Sequence, residues 1–347
     1  FLLALGYVIH PSDMGVFQKK VNNDTITVCL WVDDFLGFST NRELIIELER
    51  KVRDRFGDAR FDNGNVLNYI GMTITQPKNG VVIVNQTEYV KKIVTEAGVS
   101  KNSQSPNHPE LMKRKDKDTV KPLQEPKRFL SLVMSAMFAG KRTRPDILPA
   151  VCILASRVQS PDECDMKCLL RVFEYLRATT HLGLRYKPDE IALYYWIDAS
   201  YNLHSDSRGH TGIVATIGKH NAPIYVKSQK HKLHTRSSTE AELVATDEGV
   251  LHLLWMILVF DFLGYPQKPV TVFQDNQSTM RVCQTGHSKN GRLKHMVVRY
   301  HFIHGQQEAN VIIFEYVKSS DMLADIMSKP VDIPIFLKLQ RLLLNLH

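Results

Sequence analysis

The chain has 347 residues, enough for two or three domains and a sizeable core, and its 44% apolar content excludes a disordered chain. Lysine and arginine outnumber the acids 44 to 36, a net charge of +8 that is compatible with a polyanionic partner and equally with a plain basic surface. Five scattered cysteines exclude a secreted disulfide framework and fit a reducing compartment; Cys164 and Cys168 share a helix face, but no second pair follows to complete a zinc site.

The opening stretch FLLALGYVIH has no initiator Met and no basic start with a small-residue cleavage site. It is too short to span a bilayer and soon meets Asp13, Lys19 and Lys20, so no membrane segment is expected. The chain reads as a piece of something longer.

Residues 25 to 35, TITVCLWVDDF, read as a strand entering a turn at Asp33 and Asp34. Taken alone, that acidic pair is a solvated β-turn. Residues 42 to 56 read as a helix through Leu44, Leu48, Val52 and Phe56. Residues 65 to 75 and 81 to 85, separated by Gln76-Pro77-Lys78-Asn79-Gly80, suggest a hairpin. The chain then turns polar between Lys101 and Lys127, including the basic run Lys113 to Lys117, and reads as a linker. Helical stripes follow from Phe129 to about Thr180. Lys141, Arg142 and Arg144 there are read as duplex-phosphate contacts or, almost equally, as a solvated helix end.

From Ile191 a new pattern begins. Three strands (191 to 197, 211 to 217, 223 to 226), a long helix (238 to 262), a short strand (270 to 273), a helix (294 to 307), a strand (311 to 317) and a helix (321 to 328) predict a five-stranded mixed sheet covered by helices. Residues 335 to 344 form an amphipathic terminal helix. The fold class is therefore α+β followed by α/β.

Four acids stand out in this second half. Asp198 closes an apolar strand, YYWID, and Asp275 closes another, VTVFQD; an isolated charge in such a setting is costly unless paired or metal-bound, although either acid alone would also serve as a cap. On the long helix, Glu240 and Glu242 lie about 200° apart around the axis, so both cannot face one ion. Glu242, followed by Leu243, Val244 and Ala245, borders the buried face, whereas Glu240 reads as an exposed first-turn acid. Asp325 is preferred over Asp321, which sits in the first turn of the closing helix. Several carboxylates with water suit Mg2+, or Mn2+, and two such ions could activate a water and stabilise a departing 3′ oxygen.

The stretches YYWIDAS, HTG (210 to 212), KSQKHKLHTRSSTEAELVA, QDNQST, KHMVVRYHFI and DMLADIMSKP, in this order, resemble the ribonuclease H part of copia-type long-terminal-repeat retrotransposon Pol polyproteins. LWVDDFLGFS, NYIGMTI, Gln86 with Tyr89, and RTRPDI look like the later parts of the same family's reverse transcriptase, so the resemblance covers almost the whole chain. It implies a partial reverse transcriptase palm with its following hairpin (1–100), a linker and helical thumb or connection (101–188), a ribonuclease H-like domain (189–330) and a tail with a short helix (331–347).

The resemblance, and not composition or periodicity, implies that Asp198, Glu242, Asp275 and Asp325 converge as a catalytic metal-binding quartet that hydrolyses the RNA strand of RNA–DNA hybrids. Asp33 would be a metal ligand of an incomplete polymerase site, with Asp34 adjacent and Trp31 where the family usually has Tyr. With no earlier palm strand, and with Asp13 and Asp24 in unsuitable contexts, polymerisation by this chain alone is not expected. Two departures bear on the nuclease: Val297 stands where an acid is frequent, and no clear histidine precedes Asp325.

Lys219, Lys227, Lys230, Lys232 and Arg236 form an acid-free basic stretch before the Glu242 helix and are expected to track phosphates, with a solvated hairpin as the plain alternative. Tyr201, Asn202, Asn276, Gln277 and Ser278 are nearby polar candidates for 2′-hydroxyl contacts. The implied partners are a hybrid duplex and the upstream reverse transcriptase and integrase segments of a polyprotein, in the cytoplasm or a virus-like particle with nuclear access. The competing readings are a degenerate remnant that binds nucleic acid without turnover, and a structural connection.

Overall fold

The computed structural model describes residues 1–57, 59–77, 80–112, 121–267, 269–288 and 291–346, without the side chains of Gly291 and Arg292. The basic run Lys113 to Lys117, and Lys78 and Asn79 of the expected turn, lie outside them. The chain divides into two compact units, Phe1–Val82 with Leu253–Gln267, and Ile83–His252 with Lys268–His347.

In the first unit, β1 (Val8–His10), β2 (Asp13–Val21), β3 (Asp24–Trp31) and β4 (Asp34–Ser39) form an antiparallel meander. Helix α1 (Arg42–Phe56) is capped by Asn41, whose side chain accepts the Glu43 N–H, and its Leu48 and Val52 join Phe17, Ile26 and Val28 in the core. The stripe that predicted the helix thus faces the sheet, except that Phe56 is exposed and meets Phe1 edge-on. Residues 65 to 75 are not one strand: β5 (Val66–Tyr69) and β6 (Met72–Thr75) fold back through Ile70 and Gly71, both at positive φ, as a tight two-residue hairpin turn requires. Residues 253–267 also belong to this unit; His10 donates its Nε2 to the Leu258 carbonyl at 3.2 Å and packs edge-on against Phe262.

The second unit begins within β7 (Val82–Asn85) and continues through α2 (Thr87–Ala97), α3 (Pro126–Arg142), α4 (Leu148–Ala155) and α5 (Glu163–Ala178) to β8 (Leu184–Tyr186). Then come β9 (Leu193–Ser200), β10 (His210–Ile217), β11 (Pro223–Lys230), α6 (Ser238–Leu263), β12 (Val270–Gln274), α7 (Gln277–Thr285), α8 (Val297–Glu308), β13 (Ile312–Tyr316), α9 (Asp325–Ser328) and α10 (Ile333–Leu344). The sheet order is β11-β10-β9-β12-β13, with β9 to β11 antiparallel and β12 parallel to both β9 and β13. The short connections among β9 to β11 allow antiparallel pairing, while the helical crossovers before β12 and β13 make those strands parallel. This is the five-stranded mixed sheet with flanking helices expected of a ribonuclease H-like domain.

Both faces of β9 are covered, as its apolar alternation required. Ile197 lies beneath α6, where a Cβ on Gly249 would overlap its Cδ1, and Tyr195 bonds His252 of α6 at 3.0 Å. Trp196 stacks on Phe273 on the other face, within a core shared with α3, α4, α5 and α10. Helix α6 is long and apolar enough to cross a membrane by length and composition, yet 56% of its most apolar stretch is buried inside the protein, and it carries Glu240, Glu242, Asp247 and Glu248. It is accounted for as a sheet-covering helix.

Arg144 is not a phosphate contact. Its guanidinium is fully buried, pairs with Asp146 at 3.0 and 2.8 Å, and donates to the Thr179 carbonyl and hydroxyl at 2.8 and 2.7 Å. The Tyr175 hydroxyl also donates to Asp146, and Gln340 of α10 donates to Tyr175 at 2.6 Å. The RTRPDI stretch is therefore a structural lock in which every guanidinium bond goes to protein, the condition under which a buried charge is tolerated. Lys141 and Arg142 line a cavity of about 700 Å³ between α3, α4 and β11, and Arg142 also lies over the Phe138 ring at 4.8 Å.

Candidate metal centre

Asp198, Glu242 and Asp275 converge: one ligand atom from each lies within 4.8 Å of the other two, the single such group of three among the described residues. Asp198 does not close its strand, since β9 runs on to Ser200, and it pairs across to Gly212 of β10. Glu242 comes from the second turn of α6, and Asp275 follows directly on β12. Asp198 and Glu242 are 3% and 4% exposed, so two carboxylates are held close in a poorly solvated place where like charges repel strongly. Burial, and then the charges of Asp198 and Asp275, push the Glu242 carboxyl well above its ordinary range, against the N–H of Ala199 and the Gln274 amide, which favour the ionised form.

Gln274 went unnoticed in the sequence. Fully buried, it donates Nε2 to Glu242 at 3.3 Å and accepts the N–H groups of Asp275 and Asn276 at 2.8 and 2.9 Å. One amide thus ties the helix acid to the turn that carries the strand acid. Ser319 donates to Asp275 at 2.6 Å, and Asn276 caps α7 by accepting the Thr279 N–H at 3.0 Å.

Asp325 reaches the cluster from one side and is not a member of the group of three. Residues 321 to 328 are not one helix: a 3-10 turn, Ser319–Asp321, is followed by extended Met322, and α9 starts only at Asp325. Asp321 consequently shares no helix face with Asp325 and pairs with Lys338 at 2.9 Å. Burial, then the Asp198 charge, push the Asp325 carboxyl up to about 7, opposed by Lys329. Lys329 Nζ lies 2.7 Å from Asp325 and 3.9 Å from Asp198, and Ser328 donates its hydroxyl to Asp198. Burial disfavours the charged form of Lys329, but Asp198, Asp325 and Asp275 outweigh it and hold its pKa above the ordinary value. Neither Ser328 nor Lys329 was singled out from the sequence; the adjacency SKP to the last acid was the available signal.

Glu240 is not an exposed acid. It is 2% exposed, accepts the Arg236 N–H at 2.8 Å, lies 3.5 Å from His295, and takes the Ser237 hydroxyl as acceptor for its own N–H. Ser237 thus caps the helix start, while the Glu240 carboxylate reaches back one residue further, to Arg236, than the S-x-x-E capping box would have it. Val297 opens α8; among the described residues no histidine joins the acidic group, His295 and His304 lying instead 3.5 and 3.9 Å from Glu240 and Glu308.

The basic stretch is less free than its sequence implies. Lys227 pairs with Glu248 at 2.9 Å and Lys230 with Asp206 at 2.8 Å, so acids distant in sequence neutralise both. Lys219 sits in the β10–β11 turn with Nζ 4.8 Å from the Phe273 ring centre, while Lys232 and Arg236 are exposed. Tyr201, Asn202, Gln277 and Ser278 are exposed, and Asp275 and Asn276 half-buried.

In the first unit, Asp33 lies at the tip of the β3–β4 hairpin and Asp34 opens β4. Val32 before them has φ 54°, a conformation that costs a β-branched residue about 1–3 kcal/mol and holds the acids out in solvent. Both acids line a cleft of about 1090 Å³ with Arg60, Asp62 and Tyr69. Asp13 and Asp24 each open a strand, and their carboxylates are engaged locally, with the Gly15 N–H and with Thr40 and Asn41.

The residues present suit a hard divalent cation. Three carboxylates, two of them buried, face one another with Lys329 as a nearby cation, and oxygen-only donor sets of this kind suit hard divalent ions rather than softer metals.

Residues 1–109 match the family model described as Reverse transcriptase (RNA-dependent DNA polymerase). Over 95% of its length the chain is 26% identical to the Retrovirus-related Pol polyprotein from transposon RE1 of Arabidopsis thaliana, of which it covers 22%. It is likewise 26% identical over 95% of its length to the polyprotein from transposon TNT 1-94 of Nicotiana tabacum, covering 25%. The chain thus spans about a quarter of the length of these curated relatives. LC11-RNase H1, isolated from compost, aligns with 40% of the chain and 93% of its own at 18% identity, with a TM-score of 0.31. Along nearly its whole length, therefore, the chain is similar to retrotransposon Pol polyproteins, and its first 109 residues match the reverse transcriptase family model.

Proposed function

We propose that residues 189–330 are a divalent-metal ribonuclease that hydrolyses the RNA strand of RNA–DNA hybrids, in a copia-type Pol context. The observation that carries this reading is the convergence of Asp198, Glu242 and Asp275 from two strands and a helix. Similarity to a polymerase that copies RNA into DNA gives the substrate its logic, because that reaction leaves a hybrid. Residues 1–100 then belong to a palm and its hairpin, 101–188 to the connection and 331–347 to a tail, with reverse transcriptase and integrase segments as polyprotein partners. An active element of this kind would work in the cytoplasm or in virus-like particles.

In this reading Asp198, Glu242 and Asp275 hold Mg2+ or Mn2+, Gln274 fixes Glu242 relative to Asp275, and Asp325 with Lys329 closes the far side. When bound, the ion polarises the phosphodiester and lowers the pKa of an attacking water. Lys232 and Arg236, exposed ahead of α6, contact phosphates without reading sequence, while Tyr201, Asn202, Gln277 and Ser278 border the site on its open side, where 2′-hydroxyls distinguish RNA. Among the described residues Asp33 and Asp34 belong to no group of three ligand-type side chains within 4.8 Å of one another, and polymerisation by this chain alone is not part of this reading.

The test is cleavage of a labelled hybrid by the purified chain with Mg2+, beside RNA and DNA duplexes. Asp198→Asn is expected to lower hybrid cleavage by more than about 100-fold, since outer partners of a metal ligand alone are worth about 10–100-fold. Hybrid cleavage undiminished by that change sinks the assignment.

A further inference from the structure

The outer strand of the five-stranded sheet, β11, pairs with β10 on one side and with no described strand on the other. The His231 N–H bonds the Gly209 carbonyl at 2.9 Å, and the register runs on through Gln229 with Thr211 and Lys227 with Ile213, so the odd-numbered residues of β11 direct their backbone groups to β10. Val226 and Ser228, between them, turn N–H and C=O to the free edge, where no described residue bonds them. The cavity of about 700 Å³ lies along that edge: every residue from Pro223 to Gln229 lines it, although neighbours in a strand point to opposite faces, and α3 and α4 line it too, through Met137 and Leu148.

Exposed strand edges are commonly guarded by lysine or proline. Here the guards are turned away: Lys227 is held by Glu248 of α6 at 2.9 Å, Lys230 by Asp206 at 2.8 Å, and Pro223 stands at the first position of the strand. The other cations of the cavity, Lys141 and Arg142 in the last turn of α3, pair with no acid among the described residues, and no acid lines the cavity. A helix C-terminus accounts for their sign, but not for their place beside an unbonded strand edge.

We propose that this edge is a docking site for an extended acidic peptide, which joins the sheet along β11 and sets its carboxylates against Lys141 and Arg142. A peptide backbone matches both the donors and the acceptors of Val226 and Ser228. A nucleic-acid strand offers phosphates to the cations but has no alternating amide ladder for the edge. A second copy of this chain, edge against edge, would bring like charges together, so the charge favours a different, acidic partner.

The test is fluorescence anisotropy of a short labelled peptide of alternating glutamate and valine, titrated with the intact chain. Saturable binding is expected, weaker for the lysine and valine counterpart and not displaced by a single-stranded oligonucleotide. Backbone N-methylation at alternate residues blocks one side of a strand only. Of the two alternately methylated peptides, one is therefore expected to bind at least about 10-fold more weakly and the other as the parent does. Val226→Pro removes an N–H that β10 does not use, and it and Lys141→Glu are each expected to weaken binding by about 10-fold, with circular dichroism checking that both fold. No saturable binding, equal binding of the lysine peptide, equal affinities for the two methylated peptides, or undiminished binding by a folded Val226→Pro or Lys141→Glu chain each overturn the proposal. Displacement by the oligonucleotide assigns the cavity to a nucleic-acid strand and overturns it as well. The methylated peptides are read on the wild-type chain, so a variant that fails to fold leaves the proposal open to refutation.

Discussion

Ser328 donates its hydroxyl to the carboxylate of Asp198, 130 residues earlier, at the place where Gly212 faces Asp198 across the β9–β10 pair. A Cβ on Gly212 would lie 2.6 Å from the Ala324 carbonyl oxygen and 2.7 Å from the Ser328 nitrogen. The glycine of the HTG stretch therefore lets α9 settle on β10 and deliver Ser328, Lys329 and Asp325 to the centre.

Gly212→Ala is expected to push α9 away, because the obstructing atoms are backbone. Hybrid cleavage should fall by at least about 10-fold, while the tight Mn2+ on Asp198, Glu242 and Asp275 is retained; overpacking of this kind also costs about 1–3 kcal/mol of stability. Cleavage assays paired with Mn2+ titration check this, and simultaneous loss of the ion would show that α9 also shapes the group of three.

Gln274→Leu removes the acceptor of two N–H groups and a donor to Glu242. Orphaned buried groups cost about 1–3 kcal/mol each, so urea unfolding should show a loss of at least about 2 kcal/mol, and Mn2+ affinity should weaken as Glu242 and Asp275 lose their common tie. Unchanged affinity in a folded variant would mean that the backbone alone sets their spacing.

Arg144→Met leaves Asp146 buried without its guanidinium, a loss of about 3–5 kcal/mol. Asp146→Asn is expected to be destabilising for the same reason, and the double replacement less so than the sum. A thermal unfolding cycle on the three variants measures the coupling.

Between pH 7 and pH 5 the buried histidine cluster is expected to lose stability, while the raised Glu242 and Asp325 carboxyls, which take up protons in the folded chain first, gain it over the same range. His204 and His210 are bonded to each other at 3.0 Å and His231 to Thr211 at 3.0 Å, all three buried. Burial pushes His204 down to about 4, His210 well below its usual value, and His231 below it as well. Between the unfolded value near 6.5 and the folded one, the unfolded chain takes up protons that the folded chain refuses. Stability is therefore fully present above about 6.5 and lost as the pH falls below it, by about 1–2 kcal/mol at pH 5 from His204 alone. The stability difference between wild type and His204→Gln is expected to change by about 1–2 kcal/mol between pH 7 and pH 5, and a difference that stays constant would contradict this.

The sequence by itself determined what depends on neighbours along the chain. The stripe Leu44, Leu48, Val52 specified α1 at its observed bounds, and the alternation around Trp196 specified a strand covered on both faces. Asp198, Glu242 and Asp275 were legible as acids emerging from apolar surroundings, and the order of motifs implied that they meet. Tertiary structure decided what depends on partners far away. Glu240 is buried because Arg236 and Ser237 fold back around the helix start; Arg144 is a core residue because Asp146, Tyr175 and Thr179 enclose it; and Lys227 and Lys230 are paired because Glu248 and Asp206 reach them. The group of three, with Asp325 and Lys329 beside Asp198, follows from α9 docking over Gly212, and no local pattern of charge or hydrophobicity encodes a docking distance.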